Sequence, residues 1–146
     1  MNDTRNGEWL DPETARPGVS AVSAVTGEVL WSHVQENVCG EGRPFCDPGV
    51  SAAITATEGA VIAGHLDGII RIYDRNSGEI IWSYNGTTPV TGTNGVIAQG
   101  GGMSGSGPAL GAGHMVINSG YGLYNHEAGN ALLVFAPKAT GSVSAR

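Results

Sequence analysis

Four stretches of this 146-residue chain carry side chains that could do chemistry. His65 and Asp67 flank Leu66 just before a glycine, and strand alternation puts the imidazole and the carboxylate on one side. They read either as a polar pair offered to a ligand or as a turn aspartate beside a surface histidine. No second carboxylate stands nearby to complete a metal site. Residues 100–107 hold five glycines, with Met103, Ser104 and Ser106 between them. Glycine lets backbone N–H groups approach an anion closely. With no helix following, the run is no nucleotide-binding fingerprint, and tight loop packing is the other reading. Residues 120–129 place Tyr121, Tyr124, Asn125, His126 and Glu127 in one loop. His126 and Glu127 could be an acid–base pair, although sequence neighbours usually diverge. Cys39 and Cys46 are the only cysteines, with six residues between them in a loop rich in Gly and Pro. Lacking a further Cys or His pair, they cannot build a four-ligand zinc site. They form a local disulfide, which would put the mature protein in an oxidising compartment, or remain two loop thiols. A Ser-His-Asp triad has no support, because no nucleophile elbow is present. His33 and His114 read as strand-end or turn residues.

The composition narrows the elements that must hold these groups. Gly is abundant at 24 residues, and Val, Ile, Thr and Ala recur. That mix suits short strands joined by tight turns, since Gly is costly in a helix and useful where φ is positive. The net charge of −6 argues against nucleic acid, whose phosphates need a basic face. Lys138 is the only lysine, so no polybasic membrane patch exists. No apolar run approaches the ~20 residues of a membrane span. Residues 1–17 are polar and lack the apolar core of a signal peptide, so a secretion signal is expected upstream.

A repeat organises the chain. Residues 21–31 (AVSAVTGEVLW) align with residues 72–82 (IYDRNSGEIIW), and Trp31 and Trp82 stand 51 positions apart. A partial third copy, residues 129–136, matches residues 68–74. The best copy divides into strands at 49–56, 60–66, 69–74 and 79–84, separated by turns at 57–59, Asp67-Gly68 and 75–78. Four antiparallel strands in about 50 residues make the blade of a β-propeller. Trp31 and Trp82 fall on outer strands, where an indole can pack over the next blade. The first copy begins at its third strand, residues 18–24, and the last ends at its third strand, at Phe135. Two and a half blades cannot close a ring, which needs at least about four, so the chain is either incomplete, the favoured reading, or assembles with other copies. The expectation is an all-β propeller fragment: a lead-in at 1–17, blades at 18–136 and a tail at 137–146. Four segments should open on one face of the blades: 34–48, the Asp67-Gly68 turn, 86–106 and 120–129. Two of the four are long for a hairpin-rich fold, and long loops gathered on one face point to function there.

The blade pattern Ala-x-Asp-x-x-Thr-Gly-x-x-x-Trp resembles that of quinoprotein dehydrogenases, with Ser23 where Asp is usual and Ser77 where Thr is usual. Residues 46–53 (CDPGVSAA), 64–68 (GHLDG), 100–108 (GGGMSGSGP) and 118–122 (NSGYG) together resemble the C-terminal region of polyvinyl-alcohol dehydrogenases. The resemblance covers residues 18 to 136. It implies an eight-bladed periplasmic enzyme that holds pyrroloquinoline quinone (PQQ) and calcium on its axis. Such an enzyme oxidises alcohols to carbonyls and passes electrons to cytochrome c. A carboxylate takes the hydroxyl proton while a hydride equivalent goes to the metal-polarised quinone. The metal ligands and catalytic base come mostly from blades outside this chain. Within it, the resemblance makes His65, Asp67, Ser104 and Tyr121 candidates to contact the quinone, Tyr121 standing where relatives often have Trp. The other class that shares the blade motif is a non-enzymatic scaffold, similar to the periplasmic lipoprotein that assists outer-membrane β-barrel assembly. A carbohydrate-binding β-sandwich is disfavoured by the repeat.

Overall fold

A computed structural model describes residues 16–40, 43–120 and 124–137. Eleven strands, and no helix, occur among them: β1 Gly18–Val22, β2 Val29–Val34, β3 Thr55–Ala56, β4 Ala60–Gly64, β5 Ile69–Asp74, β6 Ile80–Asn85, β7 Val90–Thr91, β8 Ile97–Ala98, β9 Ala109–Gly111, β10 His114–Ser119 and β11 Ala131–Phe135. They form antiparallel sheets β1–β2, β3–β4–β5–β6 and β9–β10–β11, with a small β7–β8 hairpin in the connection between the last two. These are the outer two strands of one blade, a whole blade, and the first three strands of another. The chain is thus an all-β fragment of a β-propeller. The first strand of the complete blade is shorter than expected: of residues 49–56 only Thr55 and Ala56 pair in the sheet.

The 51-residue repeat extends to individual hydrogen bonds. The Ser23 amide donates to the Glu28 carbonyl and the Gly27 amide to the Ser23 carbonyl, each at 2.8 Å. Asp74, Glu79 and Gly78 make the same two bonds at 2.8 and 2.9 Å. Gly27 and Gly78 both lie in the left-handed region, at φ 77° and 74°, which a side chain would strain. Ser23 does the work of Asp74, since its Oγ accepts the Thr26 amide while Asp74 Oδ1 accepts those of Asn76 and Ser77. Those two amides hold the Asp74 carboxyl below the usual range. Register slips at Ala21/Val22 in one pair and at Ile72/Tyr73 in the other, so even the bulge repeats.

The tryptophans couple neighbouring blades. The Trp31 indole stacks on Tyr73 with centroids 6.5 Å apart and donates through Nε1 to the Arg75 carbonyl at 2.7 Å. Trp82 meets Phe135 of the following blade edge-on at 5.4 Å. Two apolar cores result. Val19, Val61, Ala63 and Tyr73 fill the seam between the first and second blades. Ile62, Ile70, Met103, Met115, Ile117 and Leu133 fill the seam between the second and third. Alternate residues of β4 therefore point into different seams, so Val61, Ile62 and Ala63 are all buried. A strand buried on both faces loses the apolar–polar alternation of a half-exposed sheet.

Candidate functional site

The described residues of segments 34–48, 86–106 and 120–129 meet on one face, around the β4–β5 turn at Asp67-Gly68. Gly68, at φ 78°, permits that turn. Asp67 Oδ1 accepts the Ile69 amide at 2.9 Å, the bond expected of a turn aspartate. The same carboxylate takes both arms of the Arg71 guanidinium, at 3.1 and 2.7 Å. Both residues are buried. A bidentate geometry compensates the cost of desolvating two charges, and removing either partner would leave the other stranded.

His65 is no surface histidine. It is fully buried, following directly on β4, whose residues 61–64 are buried on both faces of the sheet. Its Nε2 lies 2.9 Å from the Tyr73 hydroxyl. Desolvation, reinforced by the Arg71 charge, pushes its pKa down to about 4, against weaker opposition from Asp67 and the Pro48 carbonyl. Burial likewise pushes Tyr73 up to about 12. At neutral pH a neutral phenol and a neutral imidazole therefore share this hydrogen bond, and the imidazole tautomer decides which of them donates. No hydrogen bond of good geometry reaches Nδ1, despite the Pro48 carbonyl on that side.

The glycine run packs tightly against backbone. A Cβ at Gly102 would stand 2.9 Å from the Leu66 carbonyl oxygen, and Cβ atoms at Gly100 and Gly101 would collide with the carbonyls of Gly86 and Glu127. Three of its amides are already engaged: Gly101 donates to Ser119 Oγ at 3.2 Å, Gly102 to the Glu127 carbonyl at 2.9 Å and Met103 to the His65 carbonyl at 3.0 Å. Ser104 follows, and its buried Oγ has no partner among the described residues. Tyr121 lies outside the described residues.

His126 and Glu127 diverge. Glu127 pairs with Arg43, which donates Nε at 3.3 Å and Nη2 at 2.5 Å to its carboxylate. Arg43 Nη2 also donates to the Asp67 carbonyl at 3.0 Å. His126 Nδ1 faces the buried Asp47 carboxylate at 3.8 Å, too long for a hydrogen bond. Burial raises the Asp47 pKa, and His126 opposes that rise. Cys39 and Cys46 are joined by a disulfide, with Cα atoms 5.6 Å apart.

Sequence reasoning did not single out Arg43, Asp47, Arg71 or Ser119. Arg71 left one trace, a charge inside the apolar run IIRIYD four positions after Asp67. The Arg43–Glu127 pair spans 84 positions and leaves none.

A quinone with three carboxylates needs cationic or N–H donors free to meet it. On this face the Arg43 and Arg71 charges are matched by Glu127 and Asp67, and the amides of residues 101–103 are engaged. Ser104 Oγ is the buried side-chain atom of that run left without a partner among the described residues. By themselves the described residues complete no PQQ cradle, and Ser104 is the point at which they could meet one. Nor do they include a group of three or more His, Cys, Asp or Glu placed to hold a metal.

Fold and face define a propeller segment whose axial loops are locked to one another. Along its sequence the chain resembles polyvinyl alcohol dehydrogenases. It is 36% identical over 120 residues to the polyvinylalcohol dehydrogenase of Sphingopyxis sp. (strain 113P3), covering 80% of this chain and 18% of that protein. It is 33% identical over 131 residues to the polyvinylalcohol dehydrogenase of Pseudomonas sp., covering 83% of this chain and 20% of the relative. The chain thus spans about a fifth of the length of these curated relatives. No family model matches it.

Proposed function

We propose that this chain is a segment of a PQQ-dependent alcohol dehydrogenase, a periplasmic enzyme that converts alcohols or polyalcohols to carbonyls and delivers the electrons to cytochrome c. The reading rests on one conjunction: blades with this repeat, in a sequence about one-third identical to two polyvinyl alcohol dehydrogenases over four-fifths of its length. The quinone, the calcium and the catalytic base belong to blades outside this chain. Here the face loops shape one side of the axial opening, and Ser104 and Tyr121 are the positions offered to the cofactor's edge. His65 and Asp67 act from beneath, through Tyr73 and Arg71.

The face, with both its arginines paired and the amides of residues 101–103 engaged, favours a second reading, a non-enzymatic propeller scaffold. One experiment separates the two. The full-length protein is reconstituted with PQQ and Ca²⁺, and quinone binding and dye reduction are followed with primary, secondary and polymeric alcohols. Stoichiometric quinone binding with alcohol-dependent reduction is expected. Absence of both would select the scaffold.

A further inference from the structure

The connection from β2 to β3 does not take the short way between neighbouring blades. It leaves the first blade at Val34 and crosses the turn of the second, where Arg43 donates to the Asp67 carbonyl. It then reaches the loop of the third blade, where Arg43 pairs with the Glu127 carboxylate, the Phe45 carbonyl accepts the Glu127 amide at 3.0 Å, and Asp47 faces His126. It returns to the second blade where the Gly49 carbonyl accepts the Leu66 amide at 2.9 Å. Propeller blades ordinarily contact only their neighbours; this segment ties the first to the third. Phe45 holds φ 63°, a conformation a non-glycine residue keeps only where its surroundings impose it.

We propose that the Cys39–Cys46 disulfide is a redox lock on this strap: closed, it sets Arg43, Phe45 and Asp47 against the 124–129 loop, and reduced, it lets that loop go. The contacts on the third blade are few, and the Arg43–Glu127 pair is partly exposed, so alone they offset poorly the entropy of ordering an irregular segment. The crosslink removes much of that entropy in advance. Cys39 and Cys46 are buried, so reduction waits on a local opening of the strap. The chemistry is thiol–disulfide exchange. Dithiothreitol gives two electrons and two protons to the sulfur–sulfur bond and leaves as its cyclic disulfide. The reverse consumes an exchangeable disulfide such as oxidised glutathione, which leaves as two thiols. The proposal does not depend on the dehydrogenase reading.

Hydrogen exchange followed by mass spectrometry tests it on the full-length protein, comparing the oxidised form, the reduced and alkylated form, and the Cys39→Ser/Cys46→Ser variant. The peptide carrying the Glu127 amide should exchange about tenfold faster or more in both unlocked forms, while peptides of β4 and β5 keep their protection. Equal exchange in all three forms would overturn the proposal. So would loss of protection throughout β4–β6, because the disulfide would then hold a blade together and not the strap. Arg43→Gln, with the disulfide intact, should also speed exchange at Glu127; an unchanged rate there would sink the assigned route of the tie.

Discussion

At the scale of the residue, the hairpin turn of the second blade concentrates the chain's buried polarity. His65 makes stability depend on pH with a definite sign. Its pKa is about 4 when folded and about 6.5 when unfolded, so between those values the unfolded chain binds more protons. Stability contributed by the neutral imidazole is therefore complete above pH 6.5 and declines as pH falls towards 4, by up to roughly 3 kcal/mol. Urea midpoints at pH 7 and pH 4.5 should show this decline, and His65→Gln should flatten it. A decline of the same size in that variant would assign it to another group. The pairing of Asp67 with a turn could be read from sequence, because an Asp-Gly dipeptide between apolar runs has a local cause. The burial of His65 could not. Alternation says which side a residue takes, but not that both sides of the sheet will be covered.

At the scale of the element, the Trp wedge is the unit that repeats. Gly78 provides its seat: a Cβ there would lie 2.5 Å from Trp31 Cε3. Gly27 has the same left-handed backbone, but nothing lies within 4 Å of its Cβ position. Gly27→Ala should cost about 1–2 kcal/mol in unfolding free energy, the backbone penalty alone. Gly78→Ala should cost clearly more and shift the tryptophan emission to the red, as the indole is lifted from Tyr73. Equal costs would mean that the wedge adds nothing. Here the sequence was most legible. β5 was read with its exact limits, and the outer strand β6, expected at 79–84, to within a residue at each end, because each is flanked by turns with strong local chemistry. The first strand was not. Residues 49–54 look like a strand in composition, but Gly49 is engaged with Leu66 across the face, so pairing begins only at Thr55. The β7–β8 hairpin went unseen because its strands are only two residues long.

At the scale of the whole molecule, two apolar seams and one strap hold three blades in order. Met103 belongs to a face loop in sequence but fills the second seam in space, lying over Gly64 and Gly86. Met103→Ala should cost about 2–5 kcal/mol, as expected for a large core side chain removed from a site that cannot collapse. Thermal unfolding would measure this cost, and a midpoint within a degree of the parent protein would show the seam to be looser than its packing suggests. Propellers are commonly pictured as cassettes, each interchangeable because it touches only the one before and the one after. The link from Arg43 to Glu127 removes that freedom here. Inserting one more cassette between them would carry the two side chains a full wedge apart, so the number of modules along this arc cannot drift by duplication without severing it.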